Sequence, residues 1–253
     1  MRVAPSSDLW FPVLAPAPAA EVRLFCFPHA GGAALFFRPW AELLGAKVEV
    51  RGLELPGRGR RFVDRKLLHH VDAVVDAATS AIGPLLDRPF AFFGHSLGAR
   101  IAFETTRRLE TLGSRPDALF VSAMRAPSIP VEEPPFDGRT DAEIVGWLLE
   151  LGGVPKAVLE NKELLELVLP ALRADLRVVD SFRPVSEQRV QVPIHAFAGE
   201  TDVRYPPAKV EPWRAHTTSA FELSTYPGGH FYLNDSFDDV LRRVTLALGH
   251  ARR

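Results

Sequence analysis

Short apolar runs alternate with segments of helical periodicity over the first half of the chain. Val22–Phe27 reads as a strand, Leu35–Leu44 as a helix, and Val48–Leu55 as an extended segment ending at Pro56-Gly57. Val71, Val74, Val75, Ala78, Ile82 and Leu85 recur every three or four residues. That spacing puts them on one face of an amphipathic helix. Asp87-Arg88-Pro89 ends it, because the residue before a proline disfavours helical backbone. Pro89–Phe93 then reads as a strand, Ala99–Leu112 as a helix and Ala118–Ala123 as another strand. Strands that are apolar throughout and separated by helices predict an α/β fold, a mostly parallel sheet with helices on both faces.

The alternation breaks between Arg125 and Arg183. Prolines at 127, 130, 134 and 135 punctuate the entry, and two helical stretches follow, Asp141–Leu151 and Asn161–Phe182, with Gly152-Gly153 between them. An all-helical insertion between strands, approximately residues 125–185, reads as a lid. Trp147, Leu148, Leu151, Leu164, Leu165, Leu167, Val168 and Leu172 exceed what a lone surface helix needs. They are expected to pack on each other and on the core, with some lining a substrate chamber. The strand–helix pattern resumes with Pro193–Phe197 and Ala220–Thr225, then a helix from about Asp235 to Leu248. With no repeat or interdomain linker, residues 1–253 are expected to form a single domain carrying that insertion. Ala15–Ala20 reads as an irregular N-terminal arm.

Composition narrows the class without choosing a function. The chain has 253 residues, of which 47% are hydrophobic and 24% charged, which suits a globular protein with a sizeable core. A net charge of -1 supplies no electrostatic argument for nucleic acid or an anionic membrane. The single cysteine, Cys26, lies in an apolar run, where a buried structural thiol is expected. It cannot form an internal disulfide, so a cytoplasmic location is the expectation. Met1–Ala20 lacks a continuous apolar stretch and does not read as a signal peptide. No run reaches the ~18 apolar residues of a membrane span. A monomer is the default expectation.

Candidate chemistry centres on Gly94-His95-Ser96-Leu97-Gly98, placed between a predicted strand and a predicted helix. In that context the pattern reads as a nucleophile elbow, a turn so tight that only glycines fit around the serine. Ser96 needs a base, and the base needs an orienting acid. Of eight histidines, His230 stands out, because Tyr226-Pro227-Gly228-Gly229-His230 follows a late strand. His69 and His70 begin a helix. Strand alternation points His95 away from the site. His195 reads as a hydrogen-bonded core residue, and His216 has no supporting motif. The acid is expected between serine and histidine, after a strand. Asp202 fits, with Glu200 as the longer-reaching alternative, while Asp175 and Asp180 in the helical insertion read as structural. The order Ser96, Asp202, His230 is that of the α/β-hydrolase fold. An oxyanion needs donors: the N–H of Leu97 and one from Phe27-Pro28-His29-Ala30-Gly31-Gly32, where Ala30 is the candidate. Arg58, Arg60, Arg61, Arg65 and Lys66 form a local basic cluster, read as a solvated turn or a contact for an acidic partner or a phosphate group. No sequence motif for a metal or nucleotide cofactor is present.

These residues together resemble the type II thioesterases of polyketide and non-ribosomal peptide pathways. The likeness runs through Leu24–Gly32, Leu55-Pro56-Gly57-Arg58, Leu151–Pro155, Leu172-Arg173-Ala174-Asp175 and Gly228-Gly229-His230-Phe231. Members of that family often carry Met where this chain has Leu97, a position at which only the backbone N–H is needed. The resemblance implies a stand-alone enzyme that hydrolyses acyl thioesters from the phosphopantetheine arm of acyl carrier or peptidyl carrier proteins, editing stalled or misloaded units. It needs no cofactor. Alternatives are a general serine esterase or acyltransferase, a product-releasing thioesterase, and a catalytically inactive carrier-binding protein.

Overall fold

A computed structural model describes residues 7–132, 134–152, 161–185 and 187–250. Its six strands are β1 (Val22–Phe27), β2 (Val48–Gly52), β3 (Phe90–His95), β4 (Leu119–Ser122), β5 (Ile194–Gly199) and β6 (Phe221–Tyr226). They form one parallel sheet in the order β2-β1-β3-β4-β5-β6. The helices are α1 (Ser7–Trp10), α2 (Arg38–Leu44), α3 (Val71–Ile82), α4 (Leu97–Thr111), α5 (Asp141–Leu151), α6 (Lys162–Ser181), α7 (Pro207–Val210) and α8 (Phe237–His250). This is the parallel sheet with covering helices expected from the alternation of apolar runs, in the α/β-hydrolase arrangement expected from the order of Ser96, Asp202 and His230. Among the described residues, no helix is long and apolar enough to cross a membrane.

Alternation along each strand builds two cores from one sheet. Phe25, Phe27, Phe90 and Phe92 join Val74, Ala78, Ile101 and Phe103 on the face covered by α3 and α4. Leu24, Cys26, Ala91 and Phe93 join Phe37, Trp40, Val240 and Val244 on the face covered by α2 and α8. Trp40 is 1% exposed, with its ring 4.4 Å from that of Phe93. Cys26 is free and buried, as read from its apolar run. Charges are also admitted, in register. Arg23 of β1 lies opposite Glu49 of β2, and its Nε donates to Glu49 across 2.7 Å.

Three boundaries differ from the sequence expectation. Residues Ala34–Phe37 form a 3-10 turn before α2, so helix begins later than Leu35. β2 stops at Gly52 rather than Leu55, where the chain passes so close to Ala34 that a Cβ would sit 2.7 Å from its Cα. α4 starts at Leu97, directly after the serine. Residues 15–20 carry no helix or strand, but the chain just before them pairs with the sheet edge. Val13 bridges antiparallel to Arg51, and Leu14 N–H donates to the Val50 carbonyl. The edge of β2 is thereby covered.

The strand order reverses between β1 and β3: β2 lies on one side of β1, and every later strand on the other. In open α/β sheets the crevice at the carboxyl ends of two such strands is where ligands bind. The loop after β1 and the turn after β3 meet there. Trp40→Ala is expected to lower the unfolding free energy by about 3–5 kcal/mol. Leu43→Ala on the exposed side of the same helix should cost less than about 0.5 kcal/mol. Urea unfolding of both variants measures the difference.

Candidate active site

Ser96 closes β3 with φ 55° and ψ -122°, a backbone conformation that non-glycine residues rarely adopt. Its N–H donates to the Ser122 carbonyl at the end of β4 (2.8 Å), which holds the turn. The flanking glycines are sterically required. A Cβ on Gly94 would run into the Gly98 carbonyl and the Ala99 backbone, and one on Gly98 into the carbonyls of Phe27 and Pro28. The elbow is therefore wedged against the exit of β1, which brings the Phe27–Gly32 loop beside the serine.

The other two groups come from the exits of β5 and β6. Gly199 ends β5 in contact with Gly229, where any Cβ would collide with its carbonyl. Thr201 N–H donates to the Gly228 carbonyl (3.0 Å), and Gly228 itself has φ 112°. These contacts fasten the two loops together. The Arg204 and Tyr205 amides donate to Asp202 Oδ1 at 2.9 and 3.0 Å. Asp202 Oδ2 lies 2.8 Å from His230 Nδ1, and His230 Nε2 lies 3.0 Å from Ser96 Oγ. The Asp202 and His230 side chains are 0% and 2% exposed, whereas Ser96 is partly open. An ionised carboxylate can only accept, so Nδ1 carries the hydrogen and Nε2 is left to accept the serine proton.

Asp202 and not Glu200 is the carboxylate bonded to His230. Glu200 is exposed. Burial opposes ionisation of Asp202, but the hydrogen bond and charge of His230, with the two amides, outweigh it and hold the carboxyl below its usual 3.8.

Three histidines cluster here, and only one touches the serine. Alternation was expected to point His95 away from the site, but its ring packs 5.3 Å from that of His230, and its hydrogen bond goes to Ser122. Its Nδ1 is 2.8 Å from Ser122 Oγ, which is 2.6 Å from Tyr232 Oη. That buried chain ties the ends of β3 and β4 to the loop carrying His230. Burial, followed by the charges of His230 and His29, pushes His95 well below 6.5. His29, whose Nδ1 is buried, is lowered to about 3 by desolvation and then by the charges of His230 and Arg58. Both rings are neutral at physiological pH. His216 is structural, held between Ser128 and the Gln188 carbonyl. His195 is half-buried on β5 and 3.6 Å from Glu222, so it lies at the sheet surface and not in the core.

The basic cluster divides in two. Arg60, Arg65 and Lys66 are exposed, but Arg58 and Arg61 are buried. Arg61 donates to the Glu54 carbonyl and to Asp64, with its guanidinium 4.1 Å from the Trp10 ring centroid. Arg58 makes a bidentate pair with Asp175 of α6 (2.5 and 2.8 Å). Asp175 also accepts from the Gly31 N–H (2.7 Å), and Arg58 donates to the Gly32 carbonyl (3.1 Å). Asp175 is structural, as read, but what it supports is the loop containing Ala30. Leu97 is the first residue of α4, so its N–H has no intrahelical partner. Helix α6 packs over the same loop: Phe136, Ile144, Leu148, Leu169, Leu172 and Leu176 form a cluster against Ala30. Residues 153–155 of the family-like lid motif lie outside the described residues. Among the described residues, no three His, Cys, Asp or Glu side chains converge on a point that would hold a metal.

Residues 22–247 match the family model described as a thioesterase domain. The thioesterase PikA5 of Streptomyces venezuelae is 38% identical over 241 residues, covering 94% of this chain and 85% of its own. The gramicidin S biosynthesis protein GrsT of Aneurinibacillus migulanus is 37% identical, covering 86% of this chain and 85% of its own. Among solved structures, the type II thioesterase BorB from the borrelidin biosynthetic cluster superposes with a TM-score of 0.87 at 36% identity, covering 95% of this chain and 98% of BorB.

Asp202→Asn is expected to lower kcat by about 10³–10⁴-fold, because the amide favours the wrong histidine tautomer. Its effect on stability should depend on pH. The carboxylate's contribution is complete above its unfolded-state value near 3.8 and is lost as pH falls through the lower native value. Urea-unfolding curves of wild type and variant should therefore converge in acid.

Proposed function

This chain belongs to the thioesterase family, and we propose that within it the protein acts as a stand-alone editing enzyme that strips acyl groups from the phosphopantetheine arms of carrier proteins. The observation that carries the reading is the continuous relay from Asp202 through His230 to Ser96, with side-chain hydrogen bonds of 2.8 and 3.0 Å. Similarity to GrsT and BorB, both from assembly-line biosynthetic systems, supports the carrier-bound substrate.

In the proposed reaction Ser96 Oγ attacks the thioester carbonyl while His230 Nε2 takes its proton. Asp202 stabilises the resulting imidazolium. The Ala30 and Leu97 N–H groups receive the oxyanion, each contributing about 3 kcal/mol of transition-state stabilisation. Collapse of the tetrahedral intermediate breaks the C–S bond, and His230 returns the proton to the departing pantetheine thiolate. Water, deprotonated by His230, then attacks the acyl-serine ester. The second intermediate releases the carboxylic acid and regenerates the serine. A thiolate is a good leaving group, so the protein's task is chiefly to position the ester and stabilise the oxyanion.

The helical segment between β4 and β5 serves as the lid over the acyl chamber in this reading. The exposed Arg60, Arg65 and Lys66 beside it offer a docking face for an acidic carrier. Arg61 is excluded from that face by its burial.

The test is intact-mass monitoring of carrier proteins loaded with short, branched and long acyl groups, beside acyl-coenzyme A and simple oxygen esters. Short acyl-carriers are expected to be cleaved fastest. Ser96→Ala and His230→Ala should fold, yet lose turnover by about 10³-fold or more. Preference for oxygen esters over carrier thioesters would favour a general esterase, and unimpaired turnover by folded Ser96→Ala would defeat the serine mechanism. Charge reversal at Arg60 and Arg65 should raise KM for carrier substrates and leave small thioesters unaffected.

A further inference from the structure

We infer that Arg58 and Asp175 are positioning residues that set the direction of the Ala30 N–H and make it depend on the seating of helix α6. This rests on the serine mechanism proposed above and adds to it two groups outside the relay. The Ala30 loop is a tight turn in which Gly32 N–H donates back to the His29 carbonyl (2.9 Å) and Gly31 has φ 77°. A positive φ at the third position is characteristic of a type II turn. The Ala30 N–H shares its peptide plane with the His29 carbonyl, so the turn's own bond ties its direction to the position of Gly32. Two bonds from outside the turn hold Gly31 and Gly32 in place. Asp175 Oδ2 accepts from Gly31 N–H at 2.7 Å, and Arg58 Nη1 donates to the Gly32 carbonyl at 3.1 Å. Together with the turn's own bond, they hold the backbone on the C-terminal side of Ala30.

The clamp is rigid because its members are paired to each other and dry. The Arg58 and Asp175 side chains are 8% and 2% exposed, and their two parallel bonds join residues 117 apart in the chain. Such a planar fork fixes both orientation and distance. The source of the anchor is what gives it meaning. Asp175 sits on α6, in the segment between β4 and β5, and Leu172 of the same helix lies 3.3 Å from where a Gly31 Cβ would be. When α6 is seated, the Gly31 amide is occupied and cannot turn elsewhere. When α6 lifts, the amide is released and the loop regains its freedom. The oxyanion donor is therefore correctly aimed only with the helix in place.

Removing Asp175 alone would strand a buried cation and unfold some of the protein, so the test uses charge-free pairs. Arg58→Met with Asp175→Asn keeps an oxygen to accept from Gly31, and Arg58→Met with Asp175→Leu keeps the volume without it. Hydrolysis of an acyl N-acetylcysteamine thioester should show kcat about 10- to 100-fold lower in the leucine pair than in the asparagine pair. KM and the acid limb of the pH–kcat profile should be the same in both. Hydrogen exchange at the Gly31 amide should be fast only in the leucine pair. Ser96→Ala in each background reports on the underlying mechanism separately. Equal kcat in the two pairs while Ser96→Ala is inactive would overturn the clamp alone. Full turnover with Ser96→Ala would overturn both readings. As a variant that retains Asp175, Arg58→Lys should lower kcat at unchanged KM; an unchanged kcat there would equally count against the clamp.

Discussion

The hydrogen bond between His230 Nδ1 and Asp202 is the constraint on which the site depends. It joins two loops that leave neighbouring strands, and it exists only because those loops touch at Gly199 and Gly229. A carboxylate accepts and cannot donate, so the bond decides which ring nitrogen faces the serine. Burying the pair would be costly if either partner were alone. Here one carboxylate oxygen is taken by the ring and the other by two backbone amides. The acid is kept ionised and immobile by the same contacts that shape the loop.

A second constraint acts at the other side of the crevice. The elbow is forced against β1 because Gly98 meets the Phe27 carbonyl. That contact puts the Ala30 loop, the serine and the first amide of α4 in one place. The strained Ser96 backbone persists because the Ser122 carbonyl and the packing of β3, β4 and α4 over-determine it. Behind the ring of His230, the His95–Ser122–Tyr232 chain ties the ends of β3 and β4 to the loop that carries His230. The site is thus braced on two sides by strand ends, with α6 packed on the Ala30 loop beside it.

Much of this was legible in the chain because it is local. The strands are short apolar runs, the elbow is a five-residue pattern with its own steric logic, and the order serine, aspartate, histidine follows the order of strand exits. What was not legible is pairing at a distance. Nothing within Gly57–Lys66 distinguishes Arg58 and Arg61, which are buried, from Arg60 and Arg65, which are exposed; the difference lies in Asp175 and in the Trp10 ring. Glu200 and Asp202 were separable only once the loop's curvature brought one of them under the histidine. Alternation took His95 away from the site and so missed both its packing on His230 and Tyr232, its partner through Ser122. Boundaries slipped where a close backbone approach, as at Gly52 with Ala34, ended a strand before its apolar run did.

Pro170 lies inside α6 and has no N–H to give to the preceding turn. It separates two stretches of unlike character. Before it, Leu164, Leu167 and Val168 stand exposed and only Leu169, next to the proline, is buried; after it, Leu172, Asp175 and Leu176 are buried. Replacement at the first three positions disturbs little packing, whereas replacement at the last three breaks the cluster or the ion pair beneath. The helix therefore has an N-terminal half that tolerates replacement, joined through a single ring to a C-terminal half that does not. Freedom to vary and the obligation to hold the Ala30 loop are assigned to opposite ends of one element.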